Sequence, residues 1–267
     1  PLYDFANPVL SPHALATDLA AQGSTGTVAM DAKGGVSTGN AYKVVGGIFN
    51  GLKLSGEAGG LWKFEVPGIG KHVSYMTTGM STAANAESRY MVPVAMKNTA
   101  IRMTPFATGV VPSSSGQVDA VLVSFDFNLD CKRHTKIFAG DLLPGGWGDN
   151  RYEGTLNTVL EFTSGFTRPL INEMLGSTMV STGVALQRLI SLHAAAASTA
   201  GSGGFAVDLH FGGIVTEPIK LWDDRDGNMT ANITWTGKFT TALAALGTSG
   251  TGNWLAFLVT NDSSSTT

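Results

Sequence analysis

At 267 residues and 43% apolar side chains the chain can bury a sizeable core, as one large β domain or two modest ones, and no apolar run reaches the eighteen or so residues of a membrane span. Only 14% of residues are charged, against roughly 25% in an average soluble domain, and a net charge of −3 disfavours a protein that neutralises nucleic-acid phosphates. A single cysteine, Cys131, excludes an internal disulfide framework and a multi-cysteine zinc site.

The opening PLYDFANPVL carries no basic segment ahead of an apolar stretch, so no secretory leader is expected. With the lone cysteine, this points to a reducing cytosol or a particle assembled in it. Residues 1–41 are expected to supply an N-terminal arm and a first strand. In NGLKLSGEAGGLWKFEV (50–66), Leu52 and Leu54 face one way and Lys53 and Ser55 the other. After Gly56-Glu57-Ala58-Gly59-Gly60, Trp62, Phe64 and Val66 share a face opposite Lys63 and Glu65. A short glycine-containing connection suits a hairpin, because glycine tolerates the positive φ such loops need. The pattern predicts a hairpin whose Leu52, Leu54, Trp62, Phe64 and Val66 are core.

From about 73 to 117 regular alternation lapses, and Met76, Met80, Met91, Met96 and Met103 stand among small and polar residues. Long loops are usually functional or disordered, and methionine is an adaptable contact residue. The segment is expected to pack on a neighbouring subunit or to cover its own sheet.

Alternation resumes in VLVSFDFNLD (121–130), with Val121, Val123, Phe125, Phe127 and Leu129 opposite Ser124, Asp126, Asn128 and Asp130. RYEGTLNTVLEF (151–162) sets Tyr152, Leu156, Leu160 and Phe162 against Glu153, Thr155, Asn157 and Glu161. TRPLINEMLG (167–176) predicts the one helix, with Thr167 as N-cap, Pro169 in the first turn, Gly176 past the end and an apolar stripe of Leu170, Ile171, Met174 and Leu175. GVALQRLISLHAAAA (183–197) fits a strand by Leu186, Ile190 and Leu192 and a helix by its alanines, and is read as a strand. FAVDLHF (205–211) and MTANITWTGKF (229–239) are further alternating strands, and WLAFLVT (254–260) is apolar on both faces, as a central or covered strand would be. The fold class is therefore mainly β: a sandwich or partial barrel of antiparallel strands with one flanking helix and long loops. A main domain at 42–240 would be followed by a final strand and flexible tail at 241–267.

Chemistry-bearing patterns are sparse. The histidines at 13, 72, 134, 193 and 210 form no ligand motif, and His210 alternates outward from an apolar strand, as a solvent-facing side chain would. Cys131 precedes Lys132-Arg133-His134, but no nucleophile motif accompanies it. WDDRDGNMT (222–230) fails as a calcium loop: with Gly227 at the sixth position, Trp222 and Ile233 replace both end carboxylates, so Asp226-Gly227 reads as a tight turn. No catalytic residue, metal or cofactor is expected. One outcome is a non-enzymatic β-sandwich binding module (capsid decoration, adhesin or carbohydrate binding) with an aromatic platform at Trp147 or Trp222.

Three stretches carry a resemblance. YKVVGGIFNGLKLSGEAGGLWKFEVPGIGK, then VLVSFDFNLDCKRH with GDNRYEGTLNTVLEF and the helix TRPLINEML, then FAVDLHFGGIVTEPIKLWDDRDGNMTANITWTGKF, follow one another within 42–240. Their order and patterning resemble the major tail tube protein of long-tailed (siphovirus-like) bacteriophages; the 73–117 interval and the chain after 240 lie outside the likeness. The resemblance implies a structural virion protein without enzymatic activity. Copies of it would form hexameric rings stacked into a tube, with sheets joined around a lumen through which viral DNA passes during ejection. The implied partners are further copies, the tape-measure, tail-terminator and distal-tail proteins, and DNA in transit without specific binding. No membrane is involved, and the tube belongs to a virion assembled in the host cytoplasm. A lumen should avoid cation clusters that would hold phosphates, so Asp126, Asn128, Asp130, Glu153, Asn157 and Glu161 are candidates to line it, with outer solvent as the other place for them. Gly56, Glu57, Ala58, Gly59 and Gly60 at the hairpin tip, and Met76, Met80, Met91 and Met96, are candidate subunit contacts. Lys53 and Lys63 put the hairpin's polar face at such a contact or on the outside.

Overall fold

Alternating sequence becomes antiparallel sheet through most of the computed structural model, which describes residues 13–16, 26–31, 41–75, 94–112, 120–148, 150, 152–175, 186–195, 206–217, 219–225, 228–243 and 254–260. In chain order the strands are β1 (His13–Ala16), β2 (Gly26–Asp31), β3 (Ala41–Phe49), β4 (Gly51–Glu57), β5 (Lys63–Glu65), β6 (Gly68–Ile69), β7 (His72–Tyr75), β8 (Thr99–Pro105), β9 (Leu122–Asp130), β10 (His134–Lys136), β11 (Gly146–Gly148) and β12 (Glu153–Glu161). Helix α1 (Thr167–Leu175) follows, then β13 (Gln187–Ala195), β14 (Ala206–Val215), β15 (Lys220–Arg225), β16 (Asn228–Gly237) and β17 (Leu255–Thr260). The protein is mainly β; among the described residues the sheets are antiparallel, there is one α-helix, and the large sheet does not close into a barrel. No helix among the described residues is long and apolar enough to cross a membrane.

Eleven strands belong to one sheet, which turns a corner at β14. Along one edge β14 pairs with β13. Along the other, Ala206–Phe211 pair with β17, whereas Gly213–Val215 pair with β16. The changeover needs glycine: a Cβ on Gly212 would lie 2.8 Å from the Lys238 carbonyl oxygen, and one on Gly213 2.9 Å from Trp235 Cβ. One layer is then β8–β13–β14–β17–β1, and the other β16–β12–β9–β4–β5, with β15 also on β16. The layers face each other through Phe127 and Phe211, whose ring centroids are 5.9 Å apart in an edge-to-face arrangement.

Cross-strand register explains the core. Leu54, Phe127, Leu156, Trp235 and Val215 stand directly opposite one another across β4, β9, β12, β16 and β14, and all are buried. Trp235 Nε1 donates to Thr158 Oγ1 at 3.0 Å, so the buried indole keeps a partner. Facing them, Ile101, Leu192, Leu209 and Phe257 form one row, with Met103, Ile190, Phe211 and Leu255 in the next. Trp254 lies over Gly154 and Gly237; a Cβ on Gly154 would fall 2.0 Å from its ring.

Strands β3 and β4 are one extended run bent at Asn50, and β5, β6 and β7 return along it. The register runs from Tyr42↔Tyr75 to Phe49↔Gly68, then shifts by one residue before Lys53↔Glu65. The proximal part joins β9 in the large sheet, whereas the distal part leaves it and pairs with β2 in a second, four-stranded sheet. Asn50 fastens the bend: its N–H donates to the Pro67 carbonyl at 2.9 Å, its carbonyl accepts from Cys131 N at 3.0 Å, and its Oδ1 accepts from Arg133 N at 2.8 Å. Buried Arg133 also donates from Nη1 to the Phe49 carbonyl at 2.8 Å. Gly51 is required beside it, since a Cβ there would meet the Leu129 carbonyl oxygen at 2.4 Å.

Several expectations are corrected. Phe64 (47% exposed) and Val66 (61%) are not core, because β5 is the outermost strand of its layer and the facing layer reaches only Phe64, through Phe257 at 6.3 Å. Val121 is exposed, because the β9–β12 register shifts between Leu160↔Leu122 and Val159↔Ser124 and breaks the alternation. The 73–117 interval is not a continuous loop: it holds β8, which adds Ile101 and Met103 to the core. The strand reading of 183–197 holds, as β13, and β17 is flanked by β1 and β14 as its two apolar faces required. Helix α1 buries Leu170 and Ile171, and its Glu173 is bound by Arg188 of β13, with Nη1 3.0 Å from Oε1. Thr167 is its first residue rather than its cap, and its hydroxyl donates to the Glu161 carbonyl at 2.7 Å.

Truncating the centre of this core should be costly. Phe127→Ala is expected to lower the unfolding free energy by about 3–5 kcal/mol, measured by urea denaturation.

Candidate functional site

The face of β4–β9–β12–β16 that points away from the core is predominantly polar, with Val159 an apolar member between Ser124 and Asn232. Register sets Asp126 between Ser55 and Asn157, Asn128 between Lys53 and Thr155, and Asp130 opposite Glu153, while Asn157 and Glu161 oppose Thr234 and Thr230. All six residues singled out from the sequence, Asp126, Asn128, Asp130, Glu153, Asn157 and Glu161, therefore share one face of one sheet. The cause is the period of two that buries Phe125, Phe127 and Leu129 on the opposite side.

Two cations of this face are paired, whereas Lys63, opposite Ser55 on β5, is exposed. Lys53 Nζ lies 3.1 Å from Glu65 Oε1, and Lys132 Nζ 2.5 Å from Glu153 Oε2. Both pairs are substantially exposed, so each is worth about 0–1 kcal/mol and serves mainly to offset charge. Asp126, Asp130 and Glu161 complete an acidic and neutral surface.

Two other surfaces are apolar and open. Along the returning side of the ribbon Leu61, Phe64, Val66 and Val73 are exposed, and among the described residues β5 has a neighbour on one edge only. The connection from β10 to β11 carries Ile137, Phe138, Leu142 and Leu143, with Leu142 99% exposed.

The expected hairpin contacts divide. Glu57, Ala58, Gly59 and Gly60 are exposed at the tip, where Gly59 has φ +82°. The tip is tied down: Ala58 N donates to the Val123 carbonyl at 2.8 Å, and the Gly60 carbonyl accepts from Met96 N at 3.0 Å. Gly56 is no surface contact, since it is buried in β4 and a Cβ there would lie 2.6 Å from the Phe125 ring and 2.8 Å from Met96 Sδ. Met96 is likewise corrected: it fills the space over Gly56 inside the protomer and is buried. Met76, Met80 and Met91 lie outside the described residues.

Groups that might have carried chemistry are occupied structurally. Cys131 is completely buried, so its thiol is not presented to a substrate. Among the described residues no three His, Cys, Asp or Glu side chains are grouped to hold a metal ion. Arg225 pairs with Asn228 on either side of Asp226-Gly227, consistent with the turn reading; those two residues lie outside the description. Trp147 is half-buried with Lys71 Nζ 6.0 Å from its ring centroid, an unsuitable open platform, and Trp222 falls outside the described side chains. His210 is not solvent-facing: it is buried on the outer face of β14 beside Asp208, which holds His193. Alternation located that face correctly, but it could not reveal that the face is covered.

The chain matches no protein-family model. A search of curated proteins also gives no match.

Charge on the polar face does not hold the fold together. Asp126→Lys with Glu153→Lys is expected to change the unfolding free energy by no more than about 1 kcal/mol, and circular dichroism should keep its β signature.

Proposed function

We propose that the protein is a structural, self-assembling component of a phage tail tube, in which copies join as rings, hexameric by the resemblance, and the rings stack around a channel for viral DNA. The observation that carries this reading is the open end of the large sheet. Among the described residues β5 pairs on one edge only, beyond the Leu61↔Ala95 bridge that precedes it, and Leu61, Phe64, Val66 and Val73 are exposed there. The strand is short and carries Lys63 and Glu65, with Pro67 beyond it, which guards against indiscriminate pairing, while the exposed apolar side chains remain for a specific partner. Pairing with a neighbouring copy satisfies its backbone groups and removes the apolar side chains from water. The exposed Ile137, Phe138, Leu142 and Leu143 offer a second apolar surface elsewhere on the same chain. Two different surfaces that meet head to tail generate rings when the rotation closes.

The acidic face fits the channel wall. Carboxylates, amides and hydroxyls dominate the β9–β12 part of the face and neutralise no phosphates, which leaves DNA free to slide. Lys53 and Lys63, expected at a subunit contact or on the outside, lie at the β4–β5 margin of this same face, Lys53 paired with Glu65. Low overall charge suits a protein whose surface is largely covered by its own copies. Tape-measure, terminator and distal-tail proteins would be its partners at the ends and inside of the tube, and the virion its location.

Negative-stain microscopy of the concentrated protein should show rings or tubes, and Phe64→Asp with Val66→Asp should leave folded monomers. Persistent wild-type monomers would overturn the proposal. In a virion, Asp126→Lys with Glu153→Lys should permit assembly and slow DNA ejection; unchanged ejection kinetics would remove those residues from the channel wall.

A further inference from the structure

The outer face of β8–β13–β14 contains a buried polar cluster unrelated to the surfaces above. Register sets Arg102, Ser191 and His210 directly opposite one another across the three strands, and His193 opposite Asp208 in the adjoining row. His210 is only 5% exposed, and Ser191, Arg102 and Asp208 are buried with it. His193 Nδ1 lies 2.6 Å from Asp208 Oδ1, so the one carboxylate of the cluster is already engaged by one imidazole. His210 Nδ1 and Ser191 Oγ are shielded from solvent and have no hydrogen-bond partner among the described residues.

We infer that this cluster is an acid-sensitive latch on the β13–β14 pair: a proton bound by His210 cannot be accommodated while the two strands stay closed. His210 is almost fully withdrawn from solvent, and among the described residues the other charged groups facing it are Asp208 on its own strand, His193 on β13 and Arg102 one strand further. Strand β17 contributes the uncharged Ala256 and Leu258 opposite His210 and Asp208. An imidazolium at His210 would therefore compete with the His193 ring for one carboxylate in a desolvated site. Burial holds His210 below its ordinary value of 6.5; Asp208 acts in the opposite direction, and His193 adds to the lowering. The sign follows from proton counting. Below pH 6.5 the unfolded chain binds a proton at this position that the folded chain refuses, so stability is full above 6.5 and declines as pH falls from there towards the folded value.

The test is equilibrium urea unfolding of the full chain at dilute concentration between pH 7.5 and 5, for wild type and His210→Gln. The wild-type unfolding constant should rise on acidification, with His210 contributing up to about tenfold per pH unit. His210→Gln should remove that contribution while keeping its stability at pH 7.5 within a few-fold of wild type. Equal pH dependence in the two proteins would overturn the inference. Should His210→Gln fail to fold, NMR titration of the five wild-type histidines decides. One imidazole titrating well below 6.5 supports the latch, and five titrating near 6.5 refute it.

Discussion

Strand β14 changes partner on one edge between Phe211 and Gly213, and this single change converts one antiparallel sheet into two facing layers. Phe211 precedes the changeover and projects into the space between the layers, meeting Phe127 on one side and Trp254 at 5.7 Å on another. Glycines at 212 and 213 admit the close approach of Lys238 and Trp235, which a Cβ would prevent. Glycines at 154 and 237 then make room for Trp254. The high glycine content thus has a specific use here. At 154, 213 and 237 glycine allows Trp254 and Trp235 to lie directly on backbone, at 212 it admits the Lys238 main chain, and its conformational cost is offset by apolar burial.

The second constraint is the bend at Asn50. A β-ribbon 35 residues long from Ala41 to Tyr75 could not lie wholly on a layer of this size, so it leaves the large sheet where the register shifts. Leaving a sheet strands backbone groups, and Asn50 and Arg133 satisfy them from side chain as well as main chain. The consequence is an edge whose exposed apolar residues lie on or beside hydrogen-bonded strand. On the proposed reading this placement is functional: a contact repeated at every subunit gains from a surface ordered before it is met, because less entropy remains to be lost on assembly.

Most strands were legible because one side of each faces a dry core, and a period of two is then enforced residue by residue. The six polar residues of the candidate site were legible for the same reason, as the obligatory complement of Phe125, Phe127, Leu129, Leu156 and Leu160. Strand β8 was obscured by buried Arg102, which reads as a surface residue although it lies on the covered outer face of the second layer. Phe64 and Val66 obeyed the pattern yet are exposed, since alternation records which side a residue faces and not whether another layer covers that side. His210 is the converse case, polar and covered. Coverage is a tertiary property, and neither periodicity nor composition encodes it.

Core and polar face are two readings of one register, which links stability to the proposed role. Asp126 and Asn128 alternate with Phe125, Phe127 and Leu129 along β9, so a slip by one residue would place three large apolar side chains on the acidic face and two polar groups in the core. Within the β9–β12 pair the register shift is confined to the end, at Leu122 and Leu160, beyond the aromatic row. Leu54, Phe127, Leu156 and Trp235 therefore fix the sheet where the carboxylates must be presented. A tube wall built from this face would owe its uniform charge to that buried row. Substitutions in the row should disturb the channel surface even though none of its residues touches it.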